Sequence, residues 1–209
     1  AVNVVTLDVG KWVPNIGAIL KVAIFIAIIV GAIVHVSHAG MANPLTMATL
    51  TPDWSGSAQY IPAIIYGMLG FELVSAGSEE MKDPARDVPR AIFISGVVII
   101  LLYTLGTMAV LAAIPAGDIN LVEGLVDTLS LFFGESTAGK LLVLVLGLGA
   151  LFTFFSNGVT WALGCNRAAA EAAVEGELPK IFALEDKKRG TPVGAAVLMG
   201  MVSTLCLLL

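Results

Sequence analysis

The fold of this protein depends on one short apolar run, residues 61–77, with the sequence IPAIIYGMLGFELVSAG. The run is shorter than the roughly 20 apolar residues that a helix needs to cross the hydrocarbon core of a bilayer. Gly67 and Gly70 interrupt it, and Glu72 places a carboxyl group within it. Backbone that leaves the helical conformation at this depth must be buried in protein or line a cavity, because lipid offers no hydrogen-bond partner. The run therefore favours a helix that is broken in its middle.

The rest of the chain has the composition of a membrane protein. Of its 209 residues, 57% are hydrophobic and only 13% are charged, and the formal net charge is −5. Soluble domains carry about 25% charged residues, and proteins that bind nucleic acid carry basic surfaces. The composition therefore excludes a disordered chain and a nucleic-acid-binding domain, and it predicts a lipid bilayer as the partner of most of the surface.

Residues 1–209 are expected to form a single membrane domain that is a fragment of a longer protein, because the chain stops inside an apolar run. The predicted spans are about 13–36, a broken one at 61–77, 91–114, 141–164 and a truncated one at 192–209.

The charges of the connections predict the orientation of these spans. Lysine and arginine number 1, 0, 3, 1 and 5 in the successive polar segments. Because positive charge concentrates on the cytoplasmic side, connections 77–90 and 165–191 should be cytoplasmic in a multi-pass protein of the cytoplasmic membrane. Apolar residues recur at helical spacing within the outer connection, 115–140, which predicts a short amphipathic helix packed on the protein surface.

The glycines of the broken run have two explanations. Gly67 and Gly70 lack Cβ atoms, so a ligand can approach the backbone, and carbonyls freed between Tyr66 and Leu69 could accept hydrogen bonds from an ammonium group. Short, glycine-interrupted spans are typical of transporter binding sites. The same glycines also fit close packing between helices.

Four polar residues within the spans are candidates for coupling or binding. Glu72 is either a proton-coupling carboxylate or a structural acid that bonds to freed backbone groups. Lys21 is either an ammonium that replaces a bound sodium ion or an interfacial lysine that extends to the headgroups. Ser156 and Asn157 are the polar candidates to lie near Lys21, although such residues more often hold helices together.

The sequence predicts no enzyme, no metal site and no cofactor. The spans contain no Ser/His/Asp set, no phosphate-binding loop and no metal-ligand spacing, and His35 and His38 are the only histidines. Cys165 and Cys206 lie far apart in or beside apolar runs, which predicts buried thiols.

The segment that follows the break carries a family resemblance. Residues 71–91, FELVSAGSEEMKDPARDVPRA, resemble the sixth-helix signature of amino acid–polyamine–organocation permeases, a Gly-x-Glu followed by a Lys-Asn-Pro-x-Arg-x-Val/Ile-Pro-like loop. Residues 166–179 and 190–192 resemble the exit of helix eight and the Thr-Pro start of helix nine, and residues 15–21 resemble helix five. The chain is identified as a fragment of about helices five to nine, most similar around helices six to eight to the glutamate:γ-aminobutyrate antiporter branch.

The resemblance implies an all-α integral membrane fold, part of the inverted-repeat fold of the sodium-coupled leucine transporter, with a discontinuous helix six. It implies a secondary active permease or antiporter that moves amino acids by alternating access, coupled to protons or to exchange. A polyamine or amine transporter and a non-transporting amino-acid sensor are the alternatives. The sequence predicts no oligomeric state.

The resemblance also implies roles for single residues. Tyr66 falls where the family has an aromatic gate, and some members have tryptophan there. Carbonyls near Tyr66 and Leu69 fall where the substrate ammonium is held. Glu72 falls on the acid linked to proton sensing, and Lys21 falls on the lysine that replaces a sodium ion.

Overall fold

The computed structural model describes residues 7–70, 73–75, 78, 81–119, 124–186 and 191–208. These residues form α-helices, short 3-10 turns and one isolated bridge between Asp186 and Thr191, and they contain no strand. The all-α prediction is confirmed for the described part of the chain.

The described residues contain eight α-helices. In chain order they are α1 (Leu7–Ala39), α2 (Met47–Leu50), α3 (Trp54–Ser57), α4 (Ile61–Gly67), α5 (Pro84–Ala113), α6 (Gly124–Phe133), α7 (Thr137–Val174) and α8 (Val193–Leu208). The 3-10 turns include Ala58–Tyr60, Ala116–Asp118 and Lys180–Ala183, and residues 73–75 also have 3-10 conformation.

Within the described part of the chain, three helices are long and apolar enough to cross a membrane: α1 from Trp12 onward, α5 and α7. α7 has 38 residues, which at about 1.5 Å per residue gives roughly 57 Å, well beyond a hydrocarbon core of about 30 Å. It therefore continues past the predicted span 141–164. α4, with 7 residues, and α8, with 16, are shorter.

α5 begins earlier than the sequence suggests and contains Pro89 in its interior. The predicted span 91–114 leaves Pro89 outside the helix, but the helix includes it. The missing amide of Pro89 would have paired with the carbonyl of Ala85, one residue after the helix begins. Both residues are exposed, so water can bond to that carbonyl and the helix continues.

The chain forms two compact units. The first contains the described residues of 1–18, 70–93 and 154–209, and the second contains 19–69 and 94–153.

The second unit has a core where α1, α6 and α7 meet. Ile24, Ile28, Leu129 and Ala150 are buried together, and Leu129 of α6 is 0% exposed. This burial agrees with the predicted amphipathic helix, because one face of α6 packs on the protein. A buried leucine such as Leu129 is stabilised by many dispersion contacts with the atoms around it. Gly31 of α1 allows the aromatic rings of α6 to approach its backbone.

The connection after α1 is hydrogen-bonded to the end of α5 in the same unit. The Asn43 side-chain amide donates to the carbonyls of Leu111 and Ile114, at 2.7 and 2.8 Å. The backbone amide of Ala42 donates to the carbonyl of Ala112 at 2.8 Å. These bonds satisfy carbonyls that a helix leaves unpaired at its C-terminus.

The cysteines differ from the prediction of buried thiols. Cys165 is half-buried and Cys206 is exposed on α8. The last half of α8 is exposed as a whole, so an apolar sequence around a cysteine does not imply that protein covers it.

Candidate functional site

The end of α4 lies where the sequence predicts a break. The helix ends at Gly67, and its last carbonyls are bonded by the chain that follows. The amide of Met68 donates to the carbonyl of Ile65 at 3.1 Å, and the amide of Leu69 donates to the carbonyl of Tyr66 at 3.2 Å. Bonds between residues three apart tighten the final turn, and they end the helix within the predicted span.

Gly70 changes the direction of the chain after this turn. Its φ of +108° lies in the left-handed region that side chains disfavour. A Cβ atom built on Gly70 would lie 3.1 Å from Cζ2 of Trp161. Glycine is therefore needed at this position for its backbone conformation and for close packing, which agrees with the close-packing explanation, whereas approach of a ligand to this backbone stays a prediction.

Trp161 of α7 is the site residue that sequence reasoning missed. Its indole lies against Gly70, and one turn later Gly164 meets Leu73, whose Cδ2 would lie 2.9 Å from a Cβ built on Gly164. α7 thus packs along the chain just after the break. A tryptophan directly after a polar patch in a span was the available signal, because indole is favoured where an apolar body and a polar edge are both needed.

The other residues predicted to bind substrate are on the surface of the described chain. Tyr66 is 78% exposed and Leu69 is 50% exposed. Gly67 is also exposed, and Gly70 is partly buried. Glu72 lies outside the described residues. The binding roles of the first four and the coupling role of Glu72 stay predictions.

Ser156 joins α7 to α1. Its side chain is 3% exposed, and its hydroxyl donates to the carbonyl of Val13 at 2.9 Å. Gly17 makes this contact possible, because a Cβ atom built there would lie 2.5 Å from Cβ of Ser156. Asn157, the next residue, is exposed. Ser156 is therefore an interhelical contact, and a role of either residue toward substrate stays a prediction.

Lys21 lies one turn beyond Gly17 on α1, and residues four apart share a helix face. Its side chain is exposed in the described chain. Its predicted role in place of a sodium ion, and its nearness to Ser156 and Asn157, stay predictions. The described residues contain no group of three histidine, cysteine or acidic side chains that could hold a metal ion.

Long apolar helices combined with a short helix that ends at a glycine turn define a helical membrane protein with a discontinuous span. The model of the amino acid permease family matches residues 1–209. The chain belongs to this family, which confirms the resemblance to the amino acid–polyamine–organocation permeases and the inverted-repeat membrane fold that it implies.

Several named transport proteins are similar to the chain. A probable agmatine/putrescine antiporter of Lactococcus lactis is 34% identical over 92% of this chain and 41% of its own length. A glutamate/gamma-aminobutyrate antiporter of the same species is 28% identical over 78% of this chain and 33% of its own length. A low-affinity putrescine importer of Escherichia coli is 27% identical over 94% of this chain and 45% of its own length.

The chain thus spans less than half the length of these curated relatives. No solved structure matches it.

Proposed function

We propose that the full-length protein is a secondary active transporter that moves amino acids across the cytoplasmic membrane by alternating access. The observation that carries this proposal is the end of α4 at Gly67 and the left-handed turn at Gly70, in a chain of the amino acid permease family. Helix ends within a span expose backbone groups that can bind the charged groups of a substrate.

The end of α4 has the chemistry to bind an ammonium group. The carbonyl of Tyr66 accepts a bond from the amide of Leu69, but a carbonyl oxygen has two lone pairs, so it can also accept from a substrate. The exposed ring of Tyr66 stands beside that carbonyl and would close over a bound ligand. Gly67 and Gly70 keep side chains away from the same stretch of backbone.

Coupling is assigned to two residues, Glu72 and Lys21. A carboxyl group within a span binds and releases a proton as its surroundings change, so Glu72 would link protonation to substrate binding. Lys21 would supply the positive charge that a sodium ion supplies in sodium-coupled proteins. The bond from Ser156 to Val13 joins α1 to α7 two turns before Lys21 in the sequence of α1.

An amine or polyamine is the second candidate substrate. Two of the similar proteins are named for putrescine, one of them also for agmatine. The indole of Trp161 lies beside Gly70, and aromatic rings attract cations. An aromatic ring beside Gly70 favours a substrate that carries positive charge, whether or not the substrate also has a carboxylate.

Flux into proteoliposomes tests the proposal. The full-length protein is reconstituted, and uptake of labelled amino acids and of diamines is measured at acid and neutral pH, with and without internal counter-substrate. Saturable uptake of an amino acid supports the proposal, and uptake of diamines alone supports the second candidate. Binding without any flux, from protein shown to be folded, would instead favour a sensor.

Two exposed tyrosines of one short segment provide a matched control. Tyr66 ends the segment before the break and is 78% exposed, whereas Tyr60 precedes α4 and is 61% exposed. Tyr66→Ala should raise KM, because it removes the gate, while Tyr60→Ala should leave KM near that of the wild type. Equal effects of the two changes would contradict the gate assignment.

A further inference from the structure

We propose that Tyr103 of α5 is a positioning residue of the substrate gate. Its ring packs against Phe25 of α1 and lies beside the last turn of α4, which carries Tyr66, so it limits how far that turn can move toward α5. The proposal rests on the proposed transport function and names a residue through which the gate is oriented. All the contacts that carry it lie within the second compact unit.

The first contact fixes the ring of Tyr103 from the side of α1. The centroids of Phe25 and Tyr103 are 5.9 Å apart with the rings tilted by 31°. Phe25 also packs against Gly106, where a built Cβ atom would lie 2.9 Å from Cδ1 and Cε1 of the ring. Gly106 is buried, so Phe25 occupies a groove of α5 that only glycine leaves open.

The ring of Tyr103 also lies beside the end of α4. A Cβ atom built on Gly67 would lie 3.8 Å from Cε2 of Tyr103, so the space between the ring and this glycine is one that a methyl group would just fill. Cε2 is bonded to the carbon that carries the phenol oxygen. The hydroxyl-bearing edge of the ring therefore faces the last residue of α4.

α4 has little packing of its own that would keep its direction. It has 7 residues, and none of them is buried. A helix shorter than about 12 residues is marginal without tertiary support. Because Tyr66 directly precedes Gly67, any tilt of the last turn moves both the ring and the carbonyl of the proposed gate.

The contacts also connect two parts of the proposed mechanism. Phe25 is four residues beyond Lys21, so the two side chains share one face of α1. The ring of Tyr103 thus lies between the turn of α1 that follows Lys21 and the turn of α4 that carries Tyr66. From this position Tyr103 supports the gate on the side where α1 carries Lys21, the proposed coupling residue.

Tyr103→Ala should weaken substrate binding by removing this support. We expect KM of the full-length protein to rise about 10-fold, the change that corresponds to about 1.4 kcal/mol. Tyr103→Phe keeps the carbon edge at Gly67 and should change KM less than about 2-fold on the same scale. Phe93→Ala removes an aromatic ring from the same helix at a site that is 73% exposed, and it serves as the control.

A labelling experiment measures the position of the gate without transport. Tyr66→Cys is made in a cysteine-free background, and its reaction rate with a maleimide is followed in membranes. Tyr103→Ala should accelerate the reaction, and Tyr103→Phe and Phe93→Ala should not. Phe25→Ala should accelerate it as well, and should add little to Tyr103→Ala, because both changes remove the same support.

Gly67→Ala should have the opposite effect on the labelling rate. The new methyl group would meet Cε2 of Tyr103 at contact distance and hold the last turn more firmly, so labelling of Tyr66→Cys should slow. This slowing should disappear when Tyr103 is replaced by alanine. If Tyr103→Ala yields unfolded protein, Tyr103→Leu takes its place in this comparison.

The two possible failures are distinguishable. Unchanged KM and unchanged labelling in Tyr103→Ala, in protein that transports, would overturn the positioning role and leave the proposed function intact. Absence of flux for every substrate in the wild-type protein would overturn the proposed function. The labelling rates would then still decide whether Tyr103 positions Tyr66.

Discussion

Replacing Gly17 with alanine should separate α1 from α7, because the contact between these helices depends on one missing Cβ atom. A Cβ atom on Gly17 would lie 2.5 Å from Cβ of Ser156 and closer still to its hydroxyl oxygen. Real Cβ atoms do not approach other atoms so closely, so the helices must shift apart. The shift would also break the bond from Ser156 to the carbonyl of Val13.

The magnitude follows from these contacts. Overpacking costs about 1–3 kcal/mol, and loss of an interhelical hydrogen bond in a membrane protein costs about 0.6 kcal/mol more. The higher helix propensity of alanine offsets about 0.5–1 kcal/mol. The free energy of unfolding of Gly17→Ala should therefore fall by about 1–3 kcal/mol.

Gly147→Ala is the matched control on α7. Among the described residues, no heavy atom lies within 4 Å of a Cβ atom built on Gly147. This change should leave stability unchanged or raise it by up to about 1 kcal/mol through helix propensity alone. The two glycine variants should thus differ clearly in apparent Tm.

Ser156→Gly should rescue Gly17→Ala. With the Ser156 side chain removed, the nearest atom of this residue to the new Cβ atom is its Cα, at 3.9 Å, an ordinary contact. The assay is thermal unfolding of the purified full-length protein in detergent, for both single variants and the double variant. Equal Tm values for Gly17→Ala and Gly147→Ala, or a double variant less stable than Gly17→Ala, would refute the reasoning.

Three further changes have expected outcomes. Glu72→Gln should flatten the pH dependence of uptake while substrate binding survives, since glutamine cannot exchange a proton; unchanged pH dependence of proteoliposome uptake would remove the coupling role. Gly70→Ala should lower stability by about 1–2 kcal/mol, since its φ of +108° disfavours a side chain, and thermal unfolding would detect this loss. Asn43→Ala should increase hydrogen exchange at the end of α5, since the carbonyls of Leu111 and Ile114 lose their donors. The carboxylate of Asn43→Asp cannot donate at neutral pH, so this variant should exchange as fast as Asn43→Ala and faster than the wild type.

The broken helix shows how far local sequence can predict a site. Gly67 and Gly70 in a short apolar run were sufficient to predict the break, because chain length, glycine and the demands of the bilayer act locally. The end of α4 at Gly67 and the positive φ of Gly70 lie within the predicted segment. The roles of these residues toward substrate remain for experiment.

Pro89 shows where local rules mislead. A proline predicts a helix boundary, yet α5 runs through it. The carbonyl left without its partner belongs to Ala85, which is exposed close to the helix start. The cost of a proline depends on where the freed carbonyl lies, and that is a property of the folded chain.

The sequence by itself determined that this is a helical membrane protein, and it predicted where the spans lie and where one helix breaks. These features depend on length, hydropathy and backbone chemistry over a few neighbouring residues. Only the tertiary structure decided that Trp161 lies at Gly70, that Ser156 bonds to Val13 and that Tyr103 stands between Phe25 and Gly67. Such contacts depend on the rotation and register of helices far apart in the chain, and in lipid the packed and exposed faces of a helix are equally apolar, so the sequence does not distinguish them.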